Sequence, residues 1–199
     1  MDKIKEILIG TNNIGKYREI CDLLPIKVKK HSLKEFKILS PEETGVSFKE
    51  NSYLKASYFT KKTNKICLSD DSGLEIELLN GAPGIHSARW AGTEKNFNNA
   101  INRVYKEMND LKKDWKNYKN LAKFTCCLTL CWPDGKSFFS EGIVKGKISH
   151  KKKGNNGFGY DPIFIPDGFD QTFGEMKPEL KMSIDHRFKA FEKIKIFFN

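Results

Sequence analysis

The stretch KEILIGTNNIGK, Lys5–Lys16, decides the fold class. Lys5–Ile9 is a short apolar run of strand character, and it halts at Gly10-Thr11-Asn12-Asn13. A helix is predicted next over Gly15–Leu24, with Ile20 and Leu24 four residues apart and Pro25 as the stop. A strand that passes through small polar residues into a helix N-terminus is the building block of an α/β protein. The free N–H groups and dipole at such a terminus favour an anion, and Lys16 adds a cation there.

Working outward, Ser47-Phe48-Lys49-Glu50 has capping-box form and starts a predicted helix from Ser47 to about Thr60. Lys65–Ser69 reads as a strand, and Leu74–Leu79 alternates like a further one. Between them, Asp70-Asp71-Ser72-Gly73 suits either a surface turn or a metal site at a strand end. Gly81–Gly84 is loop, and Phe97, Ile101, Val104, Met108 and Leu111 mark one face of an amphipathic helix. Ala122–Trp132 and Ser137–Ile148 flank Pro133-Asp134-Gly135 as a β-hairpin. A glycine-rich loop, Gly154–Gly159, follows, and Ile184, Phe188, Phe191, Ile194 and Phe198 share a helical face. No repeat or linker interrupts this pattern, so a single mixed α/β domain over residues 1–199 is expected.

The composition sets limits. No apolar run approaches the roughly 20 residues of a membrane span, and charges interrupt the N-terminal apolar residues, unlike a signal peptide. A cytoplasmic protein is expected. The five cysteines include no CxxC pair, and Cys126, Cys127 and Cys131 lie in an apolar run, as buried small hydrophobes do. The net charge of +10 spreads along the whole chain, which suits steering of anionic substrates more than a nucleic-acid face.

Several residue types suit chemistry on a phosphorylated substrate. Gly10–Lys16 has the G-x-x-x-x-G-K spacing of a P-loop, yet Tyr17 stands where that loop needs Ser or Thr for magnesium. Glu42, Glu43, Asp70 and Asp71 offer carboxylates, and Lys55 would lie about two turns past Ser47 on the same helix. Phe158-Gly159-Tyr160-Asp161 offers aromatic faces and a carboxylate, while His186 and Arg187 are donors at a helix start. No two histidines have zinc-ligand spacing.

TNNIGK, EETGVSFKEN with LKA, SDDSGLEIE, GAPGIHSARWAG, NGFGYDPIF and MSIDHR occur in the order that marks one family. From about Ile7 to Phe191 the chain resembles the inosine triphosphate pyrophosphatase family, the XTP/dITP diphosphatases. The resemblance implies a long mixed twisted sheet with flanking helices, forming two lobes around a central cleft. It implies Mg²⁺-dependent hydrolysis of ITP, dITP and XTP to the monophosphate and pyrophosphate, by a homodimer; the charge spread and the short apolar runs add the expectation of neither nucleic-acid nor membrane partners. Thr11, Asn12, Asn13, Ile14, Gly15 and Lys16 resemble its phosphate loop, and Lys55 a triphosphate-contacting lysine. Glu43, or its neighbour Glu42, and Asp71 resemble the metal carboxylates, with Asp71 also the proton acceptor and Ser72 a substrate contact. Phe158, Gly159, Tyr160, Asp161, Lys181, His186 and Arg187 resemble its base and nucleotide contacts. Asp185 departs from the Ser that family members typically carry before His-Arg. The rival readings are a P-loop kinase or NTPase and a basic nucleic-acid-binding module.

Overall fold

A computed structural model describes residues 3–199. The signal-peptide reading begins on Met1 and Asp2, which lie outside the described residues. The fold is mixed α/β, with six strands in the order β2-β1-β3-β4-β5-β6. The chain divides into two compact units. The first runs through Asp71 and adds Cys126–Gly142 and His186–Asn199; the second holds Ser72–Thr125 and Ile143–Asp185.

The first unit opens with β1 (Glu6–Ile9), α1 (Ile14–Leu23) and β2 (Lys29–Ser32), and β1 and β2 pair in parallel from Glu6↔Lys29. Parallel pairing demands a crossover, and α1 supplies it. The short α2 (Leu33–Phe36) and the longer α3 (Phe48–Thr63) then lead into β3 (Cys67–Ile76). β3 joins the other side of β1, also in parallel, with Ile9 opposite Leu68. The neighbours of β1 thus lie on opposite sides of it, and its carboxyl end, beside Leu68 of β3, is a topological switch point, where open α/β sheets bind ligands. Apolar residues of β1, α1, β4 (Leu121–Cys131) and the C-terminal segment make this unit's main core, among them Ile7, Ile9, Ile20, Leu128, Phe191 and Phe198.

The second unit has its own core, built by α4 (Phe97–Leu111) with Leu74, Ile76, Trp115, Phe164 and Phe173. Ile101, Val104 and Met108 of α4 are buried as their spacing predicts, whereas Leu111, the last helical residue, is 64% exposed. β5 (Ser137–Ile148) returns from β4 through the expected turn, where Gly135 N–H donates to the Trp132 carbonyl at 3.0 Å. The short β6 (Phe164–Pro166) pairs antiparallel with β5. Thr125–Cys131 is buried without interruption, so the strand's cysteines pack as hydrophobes, and all five cysteines are free thiols.

Two expectations need correction. Asp70–Gly73 forms no turn: β3 continues extended from Cys67 to Ile76, and Glu77–Leu79 is a single 3-10 turn rather than strand. Gly73 makes this possible, because a Cβ there would lie 2.2 Å from the Gly84 carbonyl oxygen. The adjacent Leu74 N–H donates to Ser87 Oγ at 3.0 Å, replacing the solvent contacts of a turn. The C-terminal helical face is likewise broken into α5 (Pro178–Ile184), α6 (His186–Phe191) and a 3-10 turn, Lys195–Phe197. Asp185 sits at the break in extended conformation. Ile184 serves the second unit's core and Phe191, Ile194 and Phe198 the first, so one apparent stripe is two.

Candidate active site

In the first unit the carboxyl end of β1 passes directly into the turn that starts α1. Asn13 is the N-cap, its side-chain oxygen accepting from Lys16 N–H at 3.1 Å, and Thr11 Oγ1 accepts from Asn13 N–H at 3.2 Å. Asn12 reaches Ser40 Oγ at 2.8 Å, and Ile14 and Gly15 complete the first turn with Ile14 60% exposed. Tyr17 packs against the core, so the position that a P-loop reserves for a metal-binding hydroxyl is filled by a ring.

Asp70 anchors this end of the sheet. It is fully buried and accepts from Lys16 Nζ and Arg187 Nη2, each at 3.0 Å. Burial opposes its ionisation, but the charges of Lys16, Arg187 and Lys55 outweigh that and hold it far below the usual carboxylate range. Arg187, 1% exposed, also pairs with Glu19 through Nη1. His186 is buried beside it at the start of α6. The structure thus brings Arg187 to the carboxylates of the first unit, Asp70 and Glu19.

Asp71 points its chemistry elsewhere. Lys55 Nζ lies 3.4 Å from Asp71 Oδ1 and contacts Glu43 Oε1, so one ammonium joins two carboxylates. Asp71 Oδ2 is buried with no hydrogen-bond partner. Burial pushes the Asp71 carboxyl up against the pull of Lys55 and Lys16, and Glu43 and Asp70 add to the rise. The same three carboxylates hold the Lys55 ammonium above its ordinary range although burial works against it. Glu43 is half-buried and engaged, whereas Glu42 is exposed. The two acidic neighbours on one strand therefore differ in their partners, Asp70 held by Lys16 and Arg187 and Asp71 by Lys55.

The second unit holds a separate cluster. Asp161 Oδ2 accepts from Lys181 Nζ at 2.7 Å and from Phe158 N–H at 2.8 Å, with Asp161 and Lys181 both buried. Lys181 Nζ also stands 5.0 Å from the Phe158 ring centroid. Gly157 has φ +72°, and a Cβ there would fall 2.0 Å from Asp161 Oδ2, so the loop closes on the carboxylate only with glycine. Tyr160 does not present its face: it is 2% exposed, packs edge-on against Phe97 beside Gly159, and its hydroxyl donates to the Ser87 carbonyl at 2.9 Å. Ser72, half-buried, opens this unit's share of β3.

Sequence reasoning passed over Glu19 and Asn51. Glu19 lies three residues after Lys16, one helical turn away, and that spacing marks it as a neighbour of the same site. Asn51 is fully buried on α3, one turn before Lys55. A buried Asn and Lys four apart on a helix are a polar stripe where an apolar one is usual.

A match to the Ham1 family runs over residues 7–197. Among curated relatives, a dITP/XTP pyrophosphatase of Rhodospirillum centenum is 43% identical over 94% of this chain and 92% of its own length. One of Zymomonas mobilis, of the same name, is 41% identical over 94% of this chain and 89% of its own. The solved HAM1 protein of Coxiella burnetii superposes with a TM-score of 0.86 at 33% identity, covering 97% of this chain and 98% of that one. The chain belongs to the Ham1 family. No helix among the described residues is long and apolar enough to cross a membrane.

Proposed function

We propose that this chain hydrolyses non-standard purine nucleoside triphosphates, ITP, dITP and XTP, to the monophosphate and pyrophosphate. The observation that carries the reading is Asp71, a buried carboxylate with one oxygen facing Lys55 and the other without a partner. The names borne by relatives over nearly the whole chain supply the substrate class.

In this reading water attacks the α-phosphorus, the bond from that phosphorus to the α–β bridging oxygen breaks, and pyrophosphate leaves. Asp71 takes the proton from the attacking water, a role its raised carboxyl suits. Thr11–Lys16, with the N-terminus of α1, hold the phosphates, and Lys55 neutralises charge there. Asp161, Lys181 and Phe158 hold the base, with Ser72, His186 and Arg187 contributing substrate contacts.

Mg²⁺ fits the donors present. Glu43 and Asp71 are hard oxygen ligands, and Asp71 Oδ2 is buried and unengaged. Two carboxylates completed by substrate phosphate oxygens are what Mg²⁺ commonly takes. When bound, the ion lowers the pKa of water and offsets charge on the phosphoryl group. We further place the protein in the cytoplasm as a homodimer of single-domain subunits, independent of nucleic acid and membrane.

The test is a nucleotide panel with separate detection of pyrophosphate and orthophosphate, with and without Mg²⁺. Pyrophosphate from ITP and XTP, with little from ATP, is the expected result. Orthophosphate or phosphotransfer would instead point to the kinase or NTPase reading.

A further inference from the structure

Glu43 stands in an irregular loop between α2 and α3, yet a metal ligand must be held in place. The loop is tied to the start of α3 at two points. Val46 N–H donates to Glu50 Oε2 at 2.8 Å, but this bond lies at an exposed surface. Gly45 N–H donates to Asn51 Oδ1 at 2.8 Å, and Asn51 is fully buried. The loop lies flush on the helix here, since a Cβ on Gly45 would come 2.7 Å from both Asn51 Oδ1 and Glu50 Cβ.

Asn51 and Lys55 are four apart on α3 and so share a face. Successive turns of that face grip the loop, Asn51 at Gly45 and Lys55 at Glu43. Asn51 Nδ2, meanwhile, is buried without a partner, a desolvation cost that an apolar residue of similar size would avoid. The side chain is therefore retained for its acceptor end. We propose that Asn51 is a positioning residue for the reaction, fixing Glu43 by accepting the Gly45 N–H. This rests on the reading of Glu43 as a metal carboxylate.

The experiment combines kinetics with amide exchange on the full chain. Asn51→Ala should speed exchange at the Gly45 amide and lower kcat by about tenfold or more, as an ångström-scale misplacement does, with KM for ITP changed little. Asn51→Asp keeps the acceptor oxygen and should keep Gly45 protected, which separates the clamp from general damage to α3. If Asn51 acts through Glu43, adding Asn51→Ala to Glu43→Gln should cost nothing further. An equal loss in both backgrounds, or a Gly45 amide still protected in Asn51→Ala, would overturn the proposal. Near-normal turnover by Glu43→Gln alone would overturn the role of Glu43, and the positioning role with it.

Discussion

Lys55 Nζ joins Asp71, at 3.4 Å, to Glu43. One buried cation thus stands between two carboxylates that would otherwise repel each other in a poorly hydrated site. Lys55→Met keeps the stem and removes the charge. Its loss of stability relative to wild type should be larger at pH 8 than at pH 5. Without the ammonium the Asp71 carboxyl rises further, so the penalty exists while that group is ionised and is relieved as falling pH protonates it. Urea unfolding at the two pH values measures this, and a deficit independent of pH would count against it.

Asp71→Asn preserves shape and removes the proton acceptor. Turnover of ITP should fall by about 10² to 10⁴-fold while equilibrium binding of the nucleotide changes little. A near-normal kcat would take Asp71 out of the mechanism.

Arg187 is expected to matter for folding as well as for substrate. With 1% of its surface exposed and carboxylates of Asp70 and Glu19 on its two terminal nitrogens, its truncation takes a charged partner from both, leaving buried Asp70 to Lys16. Arg187→Ala should lose about 3–5 kcal/mol in denaturant unfolding. Arg187→Lys should recover only part of this, because one ammonium does not reproduce the planar fork. An unchanged unfolding midpoint with a raised KM for ITP would leave Arg187 a base contact alone.

Asp70 sets a different pH dependence. Its folded carboxyl lies below the unfolded value of about 3.9, so its contribution is complete above that pH and is lost as pH falls towards the folded value. Between about pH 4 and pH 2 the wild type should therefore lose stability more steeply than Asp70→Asn. Unfolding curves across that range compare the slopes. Parallel slopes would mean that Asp70 is not held ionised by Lys16 and Arg187.

Much of this was legible in the residues, for identifiable reasons. Strand β1, helix α1, the hairpin and α4 show in the sequence because apolar spacing and turn residues are local properties. The polar strand β2, Lys29-Lys-His-Ser32, carries no such pattern and is a strand only because β1 pairs with it. Asp70–Gly73 looks like a turn because such residues usually seek water, whereas here Lys16, Arg187 and Lys55 take water's place. At the site, residue types and spacing left Asp70-Asp71 between turn and metal site, and it was the resemblance of the ordered motifs that singled out Asp71, Lys55 and Lys16. That Arg187 faces Asp70 across 117 positions of sequence, and that Tyr160 is core rather than platform, are long-range facts no local pattern encodes.

The cysteines give the protein a built-in chemical handle. Four of the five thiols are buried, with Cys67 pushed up to about 12 and Cys131 to about 11 by burial, so neither presents a thiolate near neutrality. Cys21 alone is partly accessible, and it lies on α1, five residues past Lys16. Burial raises the Cys21 thiol as well, so at mildly alkaline pH a thiol-reactive dye or spin label would settle on the helix whose first turn is proposed to meet phosphate, without a single engineered residue.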